Sequence, residues 1–369
     1  MRFEVLSADG SDGARWSALV QGLAPEQRDI HFIPEYGQIY GKTYGFEPLL
    51  ALYGDGSSFV MQPFVKRPLN KLPFLKEQGV SQPYYDIANP YGYGGVVCHT
   101  ESGISTDDLC RGFNESFTSY CVDEGIASEF TSMHPLLGNH KLLLDAGEII
   151  PVKQKEVVFM DLRLNEADLW KGIHKRRVRC IKKAIKNGVR TERVEPSEAN
   201  FDILNRLYYQ TMGRHNAAAR WIFPEGYFRN CLEKLGPQRV SLFFAYVGDE
   251  VAVATILIHD FEIAYYHFSG SDTRFYELCP SDLLMYEISL WAKRQGYKYF
   301  HLGGGVSSAQ DDPLFIFKSG FSDGKATLYS YSRVLNGQSY EKLCSLKKRY
   351  EQQVDGKESD SDYFPLYRR

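Results

Sequence analysis

Two stretches of the chain, about 190 residues apart, run through the same order of elements, and this repetition restricts the fold more than any other feature. In the first, Phe32-Ile33-Pro34-Glu35-Tyr36 opens a helix, and two apolar runs between Pro48 and Val65 flank Gly54-Asp55-Gly56, the pattern of a β-hairpin. In the second, Ile222-Phe223-Pro224-Glu225-Gly226-Tyr227 opens a helix, and apolar runs at 240–247 and 251–259 flank Gly248-Asp249-Glu250. Each copy then adds a strand, a helix (106–124 and 281–295) and a further strand (127–133 and 298–302). The spacing is too long for a solenoid and suits a duplicated domain. Hairpins followed by a helical crossover predict mixed, mainly antiparallel sheets flanked by helices, an α/β (α+β) chain of two halves built alike.

Composition excludes several classes. At 369 residues, 43% hydrophobic and 24% charged, the chain is too long for one small core and is neither disordered nor fibrous. The seven cysteines are scattered and odd in number with no C-x-x-C, which suggests neither a disulfide framework nor a zinc site, and no metal is expected. Arg2, Glu4, Asp9 and Asp12 interrupt the apolar core that a signal peptide needs, and no segment reaches the length of a membrane span, so a cytoplasmic protein is expected. A net charge of -3 argues against a wholly basic nucleic-acid binder.

Charge is concentrated in one place. A helix is predicted over 168–187, with Trp170, Ile173, Ile181, Ala184 and Ile185 as its buried stripe. Lys171, Lys175, Arg176, Arg177, Arg179, Lys182, Lys183 and Lys186 cover the rest, eight cations with no acid among them after Asp168. This face is either a solvated surface or a phosphate-binding and RNA-binding one. A second helix over 281–295 has Ser281 and Asp282 as capping residues after Pro280, with Leu284, Ile288 and Trp291 on one face. Its N-terminus follows Ser269-Gly270-Ser271. It is read either as a well-capped core helix or as an anchor for an anionic or carbonyl group.

Just after a glycine triplet, Lys318 stands alone among Phe315, Phe317 and Phe321. Acyl transfer to an amine needs a neutral amine, a carbonyl within reach and positive charge where an oxyanion or leaving atom develops charge. A desolvated lysine suits the last role; the alternative is an ammonium that snorkels past an apolar cluster. Tyr91 and Tyr93, interleaved with Gly92, Gly94 and Gly95, mark either a loop whose backbone approaches a ligand or a tight aromatic corner. Asp311 and Asp312 are either ammonium ligands or solvated loop acids.

In their order, Ile173 to Val189 (IHKRRVRCIKKAIKNGV), Tyr209-Gln210-Thr211-Met212-Gly213-Arg214-His215, Phe268-Ser269-Gly270-Ser271, Leu302-Gly303-Gly304 and Asp311-Asp312-x-Leu314-x-x-Phe317-Lys318-x-x-Phe321 resemble the Fem family. These are aminoacyl-tRNA-dependent transferases of peptidoglycan bridge synthesis within the GNAT acyltransferase superfamily. The likeness covers about 157–334 and is nearest to members without a coiled-coil arm. In the first half, Tyr84-Tyr85-Asp86 and Pro90 to Gly95 look like GNAT-type proteins associated with envelope polysaccharide.

The resemblance implies two tandem GNAT-like domains, 1–153 and 154–334. The C-terminal helix and tail, 335–369, would pack on the first, with 355 onward a loosely ordered end. It implies Lys318 and Phe317 at the aminoacyl end of the donor, Arg220 and Tyr227 gripping substrate, and Tyr266, Phe268, Ser269, Tyr91, Tyr93 and Asp86 as further lining. Phe268 stands where the family has tyrosine, which removes a hydroxyl. His134 before Pro135 takes the place of a family acid and is the candidate base, the alternative being loss of the proton to water. Lys175, Arg176, Arg177, Arg179, Lys182 and Lys183 would hold the RNA of the donor.

No tightly bound cofactor is expected, and the co-substrate is aminoacyl-tRNA or acyl-CoA. The glycine loop that holds coenzyme A pyrophosphate in ordinary GNAT enzymes is missing from Arg274 to Pro280, which favours the former. The acceptor expected is an amine of an envelope precursor, bound between domains. A non-catalytic binding protein of the same fold is the reading from another class.

Overall fold

A computed structural model describes residues 1–101, 103–146, 149–354 and 363–368, the side chains of 144–146 and 220 excepted. The chain forms two compact units, the first from 1–27, 31–153 and 328–369, the second from 28–30 and 154–327.

The first unit begins with β1 (Arg2–Ser7), α1 (Gly10–Gly22), α2 (Pro34–Tyr44), β2 (Glu47–Gly54), β3 (Phe59–Pro68), α3 (Pro73–Glu77) and β4 (Tyr85–Ala88). It continues through β5 (Val97–His99), α4 (Thr106–Asp123), β6 (Ile126–Ser132) and α5 (His140–Ala146). The second runs from β7 (Val152–Asp161) through α6 (Glu166–Gly172), α7 (Lys175–Lys186), β8 (Arg190–Val194), α8 (Glu198–Arg214) and α9 (Tyr227–Leu235). Then come β9 (Val240–Val247), β10 (Glu250–Asp260), β11 (Ile263–Ser271), α10 (Pro280–Arg294), β12 (Tyr299–Gly303) and α11 (Pro313–Ser319). The strand β13 (Lys325–Val334) and the helix α12 (Gly337–Val354) close the chain.

The two units repeat one topology. Their strands lie in the orders β1-β2-β3-β4-β6 and β8-β9-β10-β11-β12, each with three antiparallel pairs and then one parallel pair. The parallel pair is the one joined by a helix, α4 or α10, as its crossover requires. These are the mixed, mainly antiparallel sheets that the hairpin spacing predicts. Among the described residues the longest helices, α4 and α12, have 18 residues each, so no coiled-coil arm is built.

The strand added to the first sheet comes from the other half of the sequence, whereas the one added to the second opens that half. β13 extends the first unit by pairing Ser330 to Val334 with Ser132 to Ser128, and β7 extends the second against β12. Residues 328–334, expected with the second domain, therefore group with the first.

Packing explains where the units hold. In the first, Leu49, Val60, Phe64, Ile87 and Ile126 of the strands meet Phe113, Phe117 and Cys121 of α4. A second cluster joins Leu69, Phe74 and Tyr84 to Leu343 and Leu346 of α12 and to Tyr367. Each large side chain buried this way contributes about 1.5–3 kcal/mol, enough to fix α12 and the chain end there. The tail is thus anchored at Phe364 to Arg368, correcting the expectation of a loose end; 355–362 and 369 lie outside the described residues.

Two helix expectations change. The helix predicted over 168–187 is two, because Ile173 turns extended and is buried in the core while the His174 N–H donates to Gly320 O at 2.9 Å. Tertiary partners there outbid continuation of the helix. At the start of α10 neither Ser281 nor Asp282 caps. Cys279, in the left-handed region at φ 57, is the N-cap residue, and Asp282 turns inward to Arg177.

Candidate functional site

The second unit opens where its parallel pair parts. β11 and β12 pair only over Ile263 to Tyr265 and Tyr299 to His301, after which β11 runs on to Ser271 and β12 to Gly303. Parallel strands that diverge leave main-chain groups without a ladder partner, and both C-terminal ends face the same edge.

At that edge Lys318 sits on α11, whose N-terminus is built by Asp312 and Pro313. The Asp312 carboxylate accepts from the N–H groups of Leu314 and Phe315, each at 3.0 Å, and from the Ser307 N–H and Oγ. Asp312 is buried and is a helix cap, so neither open reading of it holds; Asp311 is exposed. The triplet Gly303-Gly304-Gly305 explains itself in this setting. A Cβ on Gly305 would lie 2.4 Å from the Asp312 carboxylate, and one on Gly303, at φ +79, 3.2 Å from Lys318 Nζ.

Lys318 is buried, and its Nζ donates to Gly304 O at 2.8 Å; Lys155 Nζ donates to the next carbonyl, Gly305 O, at 2.7 Å. Burial pushes the Lys318 ammonium down to about 7, Lys155 adds to the fall, and Asp312 opposes it. Burial likewise lowers Lys155, with Asp312 opposing. This settles the snorkelling alternative: the nitrogen stays inside, bonded to Gly304 O and in the field of a second cation. Lys155 had no signature in the sequence beyond its place in the run Lys153-Gln154-Lys155 at the start of a strand.

The depressed ammonium makes the stability of the fold depend on pH. In unfolded chain a lysine titrates near 10.4, so between about 7 and that value the unfolded state binds a proton that the folded state lacks. The cost of the buried charge is complete below about pH 7 and gone above the unfolded value. Replacing Lys318 by Met should stabilise the protein by on the order of 3 kcal/mol at pH 6, after allowing for the lost bond to Gly304, and by little at pH 10. Denaturant melts at the two pH values measure the difference; an equal effect at both would contradict a depressed ammonium.

Phe317 is half-buried, with the Arg177 guanidinium 5.2 Å from its ring and Phe321 edge-on at 5.3 Å. Along β11 a bulge leaves His267 unmatched between Tyr266 and Phe268, since Leu257 faces Tyr266 and Ile256 faces Phe268. The alternation resets there. Tyr266 packs on the core that holds α7, α10 and α11, whereas Phe268 packs among Tyr208, Phe223, Tyr227 and Phe228. Ser269 Oγ meets Thr255 Oγ1 at 2.9 Å, and burial raises the Tyr266 phenol. Tyr227 is wholly buried with its hydroxyl 3.0 Å from His267 Nε2, which removes it from the surface-gripping role expected. The Arg220 side chain lies outside the described residues.

On α7, Lys175, Arg176, Arg179, Lys182 and Lys183 are exposed, and among the described residues none of the five forms an ion pair. Arg177 departs from them. It is buried, its Nη1 2.9 Å from Asp282 Oδ1, and its stem packs where a Gly320 side chain would stand. Ile185, expected inside, is exposed.

The remaining candidates belong to the first unit. Asp86 is buried, one oxygen accepting from Arg67 Nε at 2.7 Å and Arg368 Nη2 at 3.0 Å, the other from Arg368 Nε at 2.5 Å and the Tyr367 hydroxyl at 3.2 Å. With both oxygens doubly engaged it is a structural anion, correcting its assignment to substrate. His134 is buried, and its Nδ1 accepts from the N–H groups of Leu136 and Leu137, both at 3.2 Å. The neutral ring therefore carries its hydrogen on Nε2 and offers no lone pair for a proton, which corrects its reading as a base. Tyr91 and Tyr93 form the tight corner rather than a ligand loop: Tyr36 donates to Tyr91 O, Tyr93 stacks edge-on with His31 and His134, and Gly92 sits at φ +109. A Cβ there would meet His31 Nε2 at 2.4 Å.

All seven cysteines are free. Cys180, Cys279 and Asp282 bring three potential ligand atoms within 4.8 Å of one another, but Asp282 is committed to Arg177 and the fields of Arg176 and Lys183 reach the same place, so a cation is disfavoured. Among the described residues no helix is long and apolar enough to cross a membrane.

Residues 174–311 match the family described as Acetyltransferase (GNAT) domain. The crystal structure of FemX is similar over 93% of this chain and 99% of its own, at a TM-score of 0.64 and 12% identity. The C-terminal domain of a putative lysylphosphatidylglycerol synthetase from Agrobacterium fabrum covers 92% of this chain and 96% of its own, at 0.52 and 14%. A tandem GNAT protein from the clavulanic acid biosynthesis pathway covers 91% and 99%, at 0.50 and 9%. No curated protein matches by sequence. The chain has the Fem-type, tandem GNAT fold, and with its acetyltransferase domain it is an acyltransferase of that fold.

Proposed function

We propose that this GNAT-fold acyltransferase moves an aminoacyl group from aminoacyl-tRNA to an amine of a cell-envelope precursor. The observation that carries the reading is the buried Lys318 ammonium at the open end of the β11/β12 pair, with a pKa of about 7. When the amine attacks the ester carbonyl, a C–N bond forms and the carbonyl oxygen becomes an oxyanion that a buried cation stabilises strongly. On collapse the C–O bond to the carrier breaks. A lysine that titrates near neutrality can give the departing oxygen a proton and regain one from the ammonium formed on the attacking nitrogen, directly or through solvent. With His134 engaged at Nδ1, the amine loses its first proton to water.

Three things favour the carrier and the acceptor. The exposed cations of α7 suit a polyphosphate backbone. The turn Thr273–Leu278 lacks the glycines of a coenzyme A loop. One similar structure is named as part of a putative lysylphosphatidylglycerol synthetase, a name that couples a lysyl group to phosphatidylglycerol. The second reading, transfer from acetyl-CoA to an amino sugar or small amine, is favoured by the match to an acetyltransferase domain.

The test incubates the full chain with charged tRNA or acetyl-CoA and an amine-bearing envelope precursor, and follows the acceptor by mass. Gain of an aminoacyl mass with charged tRNA alone is the expected result. Gain of 42 Da from acetyl-CoA alone (roughly the mass of one acetyl group replacing hydrogen) would move the chain to the second reading, and no gain with either donor would overturn both.

For α7, the triple variant Arg176→Glu, Arg179→Glu, Lys182→Glu should weaken tRNA retention about tenfold or more and flatten its salt dependence by roughly two to three. Arg177 is left untouched because its reversal would strand Asp282. An unchanged salt slope would return this helix to a plain solvated face.

A further inference from the structure

A second feature of the same unit is a cavity of about 450 Å³ lined by Arg206, Gln210, Arg214, Asp272, Thr273 and Arg274. Its volume is that of a small-ligand site. We propose that this cavity binds the phosphate groups of the donor, with Arg206 and Arg214 as the anion-holding residues and Arg274 as their partner across the opening. The inference rests on the reading above that the donor carries phosphate.

Much of the main chain in the turn that follows β11 is already engaged. The Arg274 N–H goes to Asp272 Oδ1, the Phe275 N–H to Asp272 O, the Cys279 N–H to Tyr276 O and the Asp282 N–H to Cys279 O, while Pro280 has none. A glycine loop would offer those groups outward; here they are consumed within the turn. An anion at this end of β11 would be held chiefly by side chains.

The side chains are arranged for it. Arg206, Gln210 and Arg214 recur every four residues and so share one face of α8. Arg214 is held in place without losing its charge, since its Nη2 reaches only neutral acceptors: Thr211 Oγ1 at 2.9 Å, Ser271 O at 2.9 Å and the Tyr276 hydroxyl at 2.8 Å. Nε and Nη1 are left for a ligand. Arg206 forms no ion pair among the described residues. Of the nearby carboxylates, Asp272 meets Arg274 Nε and Nη2 and Glu250 meets its Nη2, which orients that guanidinium, and Asp272 also lies in the field of Arg206. Three guanidiniums around one cavity against two carboxylates, Asp272 and Glu250, leave an excess of positive charge that matches a phosphodiester or pyrophosphate, whose oxygens accept in pairs.

The cavity and Lys318 also lie at one edge. β11 and β12 run parallel, so Ser271, where the arginine cavity begins, and Gly303, where the Lys318 turn begins, are the C-terminal ends of neighbouring strands.

Titration calorimetry on the full chain, at low and moderate salt, tests the assignment with three probes: inorganic pyrophosphate, coenzyme A and a short single-stranded RNA. Pyrophosphate should bind, and Arg206→Glu with Arg214→Glu should weaken it at least tenfold, with Arg206→Gln and Arg214→Gln weakening it less. Circular dichroism melts select the pair that keeps the wild-type transition. Tighter binding of the RNA than of coenzyme A, lost in the same variants, identifies RNA as the source of the phosphate; the reverse order identifies coenzyme A. Binding of all three probes unchanged in folded variants overturns the site. Arginine-dependent binding without turnover on any donor would keep the site and sink the proposed function, so the two failures are separable.

Discussion

Replacing Lys318 by Ala is expected to lower the rate of acyl transfer by ten- to a thousandfold with little change in acceptor KM, because the charge it places near the oxyanion acts mainly in the transition state. The pH profile makes the expectation specific. With the ammonium at about 7, the active charged form is complete below that value and is lost as pH rises through it. The rate should therefore carry a descending alkaline limb near pH 7 in the wild type. Lys318→Arg retains charge throughout, so where the fork fits the residual activity should lose that limb. Steady-state rates from pH 5.5 to 9 on both variants measure it. Wild-type turnover in Lys318→Ala would remove this residue from the chemistry.

The second large effect is on stability, and it comes from the chain end. Deleting 363–369 takes away Tyr367 and Arg368, leaving buried Asp86 with Arg67 alone. Stripping a partner from a buried ion pair costs about 3–5 kcal/mol, and the loss of Tyr367 from its apolar cluster adds to it. The first unit should melt at clearly lower temperature, with the second unit's transition less affected. Burial raises the Asp86 carboxyl, but Arg67 and Arg368 more than offset this and hold it below the usual range. A lowered acid contributes stability above its unfolded pKa and loses it as pH falls through the folded one. The deletion should thus cost most at pH 7 and progressively less toward pH 2. A truncated protein with the wild-type melting curve would refute the anchoring.

How much of this was legible in sequence varies with the range of the interaction. The hairpins, the crossover helices and their repetition were readable because a turn such as Asp55-Gly56 and an alternating run are local facts. Lys318 stood out because one cation in an aromatic run is a local anomaly. Arg177 and Asp282 were misread, as a surface cation and a helix cap, because nothing within either helix announces a partner 105 residues away. The same holds for Asp86, held by Arg368 from 282 residues on, and for His134, whose acceptor role depends on how the chain turns at Leu136 and Leu137.

The sequence by itself determined the hairpins, the crossover helices, their repetition and the one lysine out of keeping with its surroundings, since periodicity and composition act over a few residues. Only the tertiary structure decided that β13, from the second half, closes the first unit's sheet and that β7 pairs with β12. It alone decided which charges are spent on one another and that Lys155 stands beside Lys318, because pairing across long loops and removal from water depend on the assembled fold.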